Sequence, residues 1–139
     1  MKKILIVDDC KTIQATLAHH CRNWGYEAVG VLDGKTALAH LALDNAPRFA
    51  IVDWMMPGLT GPELIRQFRK TDPRRETYIL MLTAKTGRHV LETAFQCGAD
   101  DYLSKPVNQD ELYRRIREGF NILDRQLAVE STVAKFVGS

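Results

Sequence analysis

The sequence predicts an open α/β fold of the doubly wound, three-layer kind, and three observations carry that prediction. Short apolar runs recur five times without the strict alternation of a half-solvated strand, as expected of strands buried on both faces. Helix-length segments with apolar residues three and four apart lie between them. Right-handed crossovers between successive parallel strands then put helices on both faces of one sheet.

The first run, Ile4 to Val7, leads straight into Asp8 and Asp9. Ile13, Leu17, Cys21 and Trp24 follow in a helical row, which Gly25 stops where a C-terminal cap belongs. Ala28 to Leu32 supplies a second strand, and Ala37, Leu38, Leu41 and Ala42 a second helix ending before Pro47. Phe49 to Val52 is the third strand, closed by Asp53. Thr60, with Pro62 in the first turn and Glu63 three residues on, signals the start of a third helix through Leu64, Ile65 and Phe68, which ends before Asp72-Pro73. Tyr78 to Leu82 is the fourth strand, with Thr83 at its end. Val90, Leu91, Ala94 and Phe95 mark a fourth helix stopped by Gly98, and Tyr102-Leu103 a fifth strand ahead of Lys105-Pro106. Asn108 and Glu111 cap a fifth helix through Leu112, Ile116 and Phe120.

A chain of 139 residues, 45% hydrophobic and 26% charged, fits one compact domain with a short tail and excludes disorder and fibrous architectures. The domain is expected at 1–123, with 124–139 as a helical extension or a linker. Nineteen basic against seventeen acidic side chains leave a formal charge of +2, too balanced for the basic face of a nucleic-acid binder. No apolar stretch reaches the length of a membrane span or a signal peptide. Cys10, Cys21 and Cys97 form neither a disulfide framework nor a zinc motif, so a reducing cytoplasm is the expected compartment.

Past Phe120 no sixth strand pattern occurs. A 4,3 spacing from Ile116 runs through Phe120, Leu123, Leu127, Glu130, Ala134 and Val137, apolar except at Glu130. Either a coiled-coil stub that pairs two copies or a frayed tail fits that row.

In open α/β sheets the chemistry lies beyond the carboxyl ends of the strands. Here those ends carry Asp8-Asp9, Asp53, Thr83 and Lys105. If the first and third strands are neighbours, three carboxylates crowd into one space, and a cation must offset their repulsion. An all-oxygen donor set favours Mg²⁺ over Zn²⁺, Lys105 adds a point charge for a phosphoryl oxygen, and the Thr83 hydroxyl can donate to another. Taken singly each piece is weak: an acidic pair is commonly a solvated turn, and most lysines are surface residues. Their joint placement at strand ends points to phosphoryl transfer onto a carboxylate.

The ordered set Asp8-Asp9, then Asp53-Trp54-Met55-Met56-Pro57-Gly58-Leu59-Thr60-Gly61 with its D-x-x-M-P-x-x-x-G pattern, then Thr83-Ala84, then Lys105-Pro106 resembles the response-regulator receiver domains of two-component signalling. The likeness extends over roughly Lys2 to Leu123. It implies the flavodoxin-like strand order 2-1-3-4-5. It implies that Asp53 takes a phosphoryl group from a sensor histidine kinase or a histidine phosphotransfer protein. Asp8, Asp9, Asp53 and the Met55 carbonyl are the implied holders of Mg²⁺, with Mn²⁺ as its substitute. Lys105 is implied to neutralise the phosphoryl group, and Thr83 and Tyr102 to switch the face around the fourth helix and fifth strand toward an output domain or partner. Slow autodephosphorylation resets such a domain, and a degenerate receiver acting only as an interaction module is the alternative.

Trp54 and Lys85 flank the acceptor. Cys10 is expected as a small buried hydrophobe, His19, His20, His40 and His89 form no ligand set, and Arg66, Arg69, Lys70, Arg74 and Arg75 are expected on a solvated helix face and loop. A flavodoxin-like cofactor binder would need a phosphate loop after the first strand, where this chain has repelling acids. An Asp-nucleophile phosphatase would carry an acid where Met55 stands.

Overall fold

The computed structural model describes residues 1–73 and 75–137. Arg74 of the basic stretch, Gly138 and Ser139 of the tail and the side chain of Val137 lie outside the described residues. Five strands alternate with five helices: β1 (Lys3–Val7), α1 (Lys11–Asn23), β2 (Glu27–Val31), α2 (Gly34–Leu41), β3 (Phe49–Asp53), α3 (Gly61–Arg69), β4 (Tyr78–Thr83), α4 (Arg88–Cys97), β5 (Asp101–Ser104) and α5 (Gln109–Val137). All strand pairs are parallel, in the order β2-β1-β3-β4-β5. The doubly wound expectation holds throughout. The second strand is shifted by one residue, starting at Glu27 and ending before Leu32.

The unalternating apolar runs have a direct physical cause. In β1, β3 and β4 successive side chains point to opposite faces, and both faces are covered. Leu5, Val7, Ala50, Val52, Ile79 and Met81 pack under α2, α3 and α4. Ile4, Ile6, Phe49, Ile51, Leu80 and Leu82 pack under α1 and α5. Burial pushes the Cys21 thiol up to about 12 and raises Cys97 as well, so neither is a reactive thiolate.

The local stop and start signals act as expected. Gly25 (φ +92°) follows α1, and Gly98 (φ +112°) closes α4 in the left-handed conformation that a side chain resists. Thr60 Oγ1 accepts from the Glu63 amide, and Asn108 Oδ1 from the Glu111 amide at 3.0 Å. Asp33 adds a cap that the apolar rows do not reveal, accepting from Thr36 N at 2.8 Å at the head of α2.

Four expectations are corrected. Ile13 and Phe95 continue apolar rows but are 39% and 46% exposed: Ile13 lines an open groove with Val107 and Leu112, and Phe95 stands edge-on to the half-buried Tyr102. Cys10 is exposed, not buried, since it is the N-cap position of α1 and its side chain faces out of the helix. Arg69 leaves the solvated face: it donates to Asp72, Asp100 and the carbonyls of Thr77 and Gly98. The row from Ile116 through Phe120 and Leu123 is not open to another helix, because all three side chains are buried against the sheet. The tail itself is helical, since α5 continues unbroken from Gln109 to Val137.

Candidate functional site

Sheet register assembles the site. Val7 of β1 pairs with Val52 of β3, so the next residue on each strand, Asp8 and Asp53, emerges side by side at the carboxyl edge. Asp53 pairs with Leu82, and Thr83 with Ser104, which brings Thr83 and Lys105 to the same edge. The Lys105 amide donates to the Thr83 carbonyl at 2.8 Å, and a cis bond joins Lys105 to Pro106.

Asp8, Asp9 and Asp53 each offer a carboxylate oxygen within 4.8 Å of the other two. Asp8 and Asp53 are buried and Asp9 is exposed, so the pocket is solvent-facing on one side only. Lys105 Nζ lies 2.7 Å from Asp53 Oδ1 and 3.8 Å from Asp8 Oδ2. One oxygen of Asp8 accepts from the Cys10 amide at 2.9 Å, while Oδ2 is buried and has no hydrogen-bond donor. Burial raises the Asp8 pKa most, the Cys10 amide opposes that, and the charge of Asp53 adds to the rise.

A buried carboxylate oxygen without a donor, in a cluster of three carboxylates and one amine, fits a small divalent cation with oxygen ligands. Met55 is exposed directly after the buried Trp54, and Gly58 (φ +78°) turns the chain back toward α3. Gly61 is required by close approach: a Cβ there would stand 2.5 Å from the Asp53 carbonyl oxygen and 3.0 Å from Trp54 Cα. Any larger residue therefore displaces the acceptor strand.

Thr83 is buried, and its hydroxyl oxygen accepts from the Lys85 amide at 3.0 Å. Ala84 is exposed beside it. Tyr102 is half-buried against the α2–α4 core, edge-on to Phe95 with ring centroids 6.3 Å apart. Trp54 points into the core, so its bulk lies below the pocket, and Lys85 Nζ sits 5.6 Å from its ring centroid. The structure thus brings Asp8, Asp9, Asp53, Thr83 and Lys105 to one edge and leaves Tyr102 on the flank toward α4.

A parallel sheet whose carboxyl edge gathers three aspartates, a hydroxyl and a single amine defines a class: a signalling domain built around one acidic pocket. The chain belongs to the response regulator receiver domain family, whose sequence model matches residues 4–117. It is 35% identical over 116 residues to the phosphate regulon transcriptional regulatory protein PhoB of Pseudomonas aeruginosa, covering 84% of this chain and 50% of that protein. The chain spans about half the length of the curated relatives it matches. Among solved structures it is similar to the Vibrio cholerae chemotaxis protein CheY4 (TM-score 0.79, 32% identity, 86% of this chain and 98% of that one). It is also similar to the BeF3-activated DrrB receiver domain (TM-score 0.77, 30% identity, 87% and 98%). No helix among the described residues is long and apolar enough to cross a membrane.

Proposed function

We propose that this receiver domain is an active phosphoryl acceptor and that Asp53 carries the group. The observation that supports this most is the buried Asp53 carboxylate held 2.7 Å from Lys105 Nζ in a cluster with Asp8 and Asp9. An Asp53 oxygen attacks the phosphorus of a phosphohistidine on a sensor kinase or phosphotransfer protein. The P–N bond breaks with its electron pair on the imidazole, which takes a proton from water, and an acyl phosphate remains on Asp53. Water later cleaves that anhydride and restores the carboxylate.

Asp8, Asp9, Asp53 and the Met55 carbonyl would hold Mg²⁺, or Mn²⁺ in its place, and the ion would offset the charge of both carboxylates and phosphoryl oxygens. Lys105 holds one side of the acceptor and supplies a fixed positive charge against the transferred group. An apolar groove of about 550 Å³ beside Lys105, lined by Ile13, Leu17, Val107 and Leu112, gives a donor protein a surface next to the pocket. Residues 1–123 would form the receiver, and 124–139, helical as far as Val137, would be the extension or linker that carries the state of the face around α4 and β5 to an output domain or partner in the cytoplasm. Thr83 turning toward the phosphoryl oxygens, and Tyr102 moving into the space it leaves, would be the switch.

Incubation with Mg²⁺ and acetyl phosphate tests the reading. Intact-mass spectra are expected to show one added phosphoryl group that is lost in Asp53→Asn. Equal labelling of Asp53→Asn overturns the assignment of the acceptor, and no labelling of the wild-type chain selects the degenerate interaction module instead.

A further inference from the structure

We propose that Gly34, in the first turn of α2, is a positioning residue for the carbonyl of Met55: by seating Leu59 against bare backbone it fixes the loop between β3 and α3 where that carbonyl can join Asp8, Asp9 and Asp53. The inference rests on the reading of those groups as holders of a divalent cation.

The loop is short and tied at its neck. The Gly61 amide donates to the Trp54 carbonyl at 2.9 Å, which leaves residues 55–60 as the free span. Met55, Pro57 and Gly58 face solvent. Met56 is buried in the core beneath α2, α3 and α4, and Leu59 packs against the same core, so these two side chains are the inward anchors of the span. The Met55 carbonyl belongs to the peptide that enters Met56. A shift of the Leu59 anchor is therefore felt at that carbonyl only three residues away.

Gly34 is the seat of the second anchor. A Cβ at Gly34 would stand 2.8 Å from Leu59 Cβ and 3.2 Å from Leu59 Cδ2. The nearer atom is fixed to the loop backbone, so no side-chain rotation relieves the contact and the loop itself must give. The conformation of Gly34 does not ask for glycine: it is helical within α2 and its φ is not positive, and alanine is the better helix former. Close approach is what requires the bare backbone.

The seat is rigid and is joined to the other half of the site. Asp33 caps α2, accepting from the Thr36 amide at 2.8 Å and from its hydroxyl at 3.0 Å. Two residues before Asp33, the Val31 carbonyl accepts from the Asp8 amide at 3.2 Å. One connection from β2 to α2 thus holds the Asp8 backbone at one end and the Met55 loop at the other. A small cation that demands near-octahedral oxygens tolerates little displacement of one ligand against the rest.

Mn²⁺ binding to the full chain, followed by electron paramagnetic resonance, is the test. Gly34→Ala is expected to bind Mn²⁺ roughly tenfold more weakly than the wild type, the scale of losing a group that orients a ligand from behind. In a Leu59→Gly background, where the opposing Cβ is gone, the same substitution should change the affinity by less than about twofold. In EDTA the carbonyl carbon resonance of Met55 should move in Gly34→Ala, and should stay in place when Gly34→Ala is added to Leu59→Gly. If circular dichroism shows that Gly34→Ala does not fold, Leu59→Gly alone decides: without its anchor the loop should bind Mn²⁺ several-fold more weakly, and wild-type affinity there overturns the proposal. Wild-type affinity in Gly34→Ala, or an equal loss in both backgrounds, overturns it while leaving the labelling of Asp53 intact. A wild-type chain that binds no Mn²⁺ overturns this inference together with the reading beneath it.

Discussion

Lys105 reaches across 52 residues of sequence to place its amine 2.7 Å from Asp53 Oδ1. The contact is made by the carboxyl edge of the sheet, because β3 and β5 both flank β4 in parallel register. Lys105 is the cation that both buried aspartates share, and its other neighbour is Asp8 at 3.8 Å. Lys105→Met keeps most of the apolar stem and removes the charge. We expect labelling of Asp53 by acetyl phosphate to slow roughly 100-fold, the scale of losing one preorganised electrostatic partner. Time-resolved intact mass measures this, and a rate within threefold of wild type would show that the amine only shapes the pocket.

Asp8 predicts an unusual pH response for the metal-free protein. Its folded pKa is raised, chiefly by burial, so the folded state holds this proton more tightly than the unfolded chain. The stability it contributes is complete below the unfolded value near 3.8 and is lost as pH rises through the higher folded value. At neutral pH an ionised Asp8 therefore destabilises the fold. Asp8→Asn removes the buried charge whose second oxygen has no donor, and the metal-free variant should gain roughly 1–3 kcal/mol at pH 7. Urea melts in EDTA at pH 4 and pH 7 measure it: the wild type should gain more from acid than the variant. Mg²⁺ should stabilise the wild type and leave Asp8→Asn nearly unchanged.

Arg69 anchors the far side of the sheet from the site. It bridges Asp72 at 2.9 Å and Asp100 at 2.7 Å, and the same Asp100 carboxylate accepts from the Ile79 amide at the start of β4. Arg69→Met leaves the buried Asp72 without its cation and Asp100 with only Arg75, 3.7 Å away. Chemical denaturation should report a loss of about 3 kcal/mol, while labelling of Asp53 in the folded fraction stays at the wild-type rate. A loss below about 0.5 kcal/mol would place Arg69 among ordinary surface ion pairs.

Arg69 also marks where the sequence stops being legible. The strands could be read because burial on both faces leaves continuous apolar runs, and helix ends because glycine and cap residues act locally. Asp8, Asp53, Thr83 and Lys105 could be read because each sits at the last residue of a strand or one step beyond it, where the edge of a parallel sheet must bring them together. Arg69 could not, since its partners Asp100 and Thr77 come from other elements and nothing in a helix-face pattern records their distance. The same holds for Gly61, whose need for a bare backbone appears only as a contact with the Asp53 carbonyl.

The final prediction concerns the path from Thr83 to Tyr102. Thr83 Oγ1 is engaged by the Lys85 amide at 3.0 Å, and Tyr102 on the adjacent strand packs edge-on against Phe95 of α4. Gly87 offers no side chain as a cap at the head of α4, and Phe95 in its last turn is partly in water. An element with so few local constraints is free to have two packings of similar energy. With Mg²⁺ and acetyl phosphate, the ring resonances of Tyr102 and Phe95 should shift together in the wild type. Thr83→Ala should still be labelled at Asp53, yet leave both rings where they were, because the hydroxyl that follows the phosphoryl group is gone. If both rings shift equally in Thr83→Ala, the signal reaches β5 by another route, through Lys105 and its own strand.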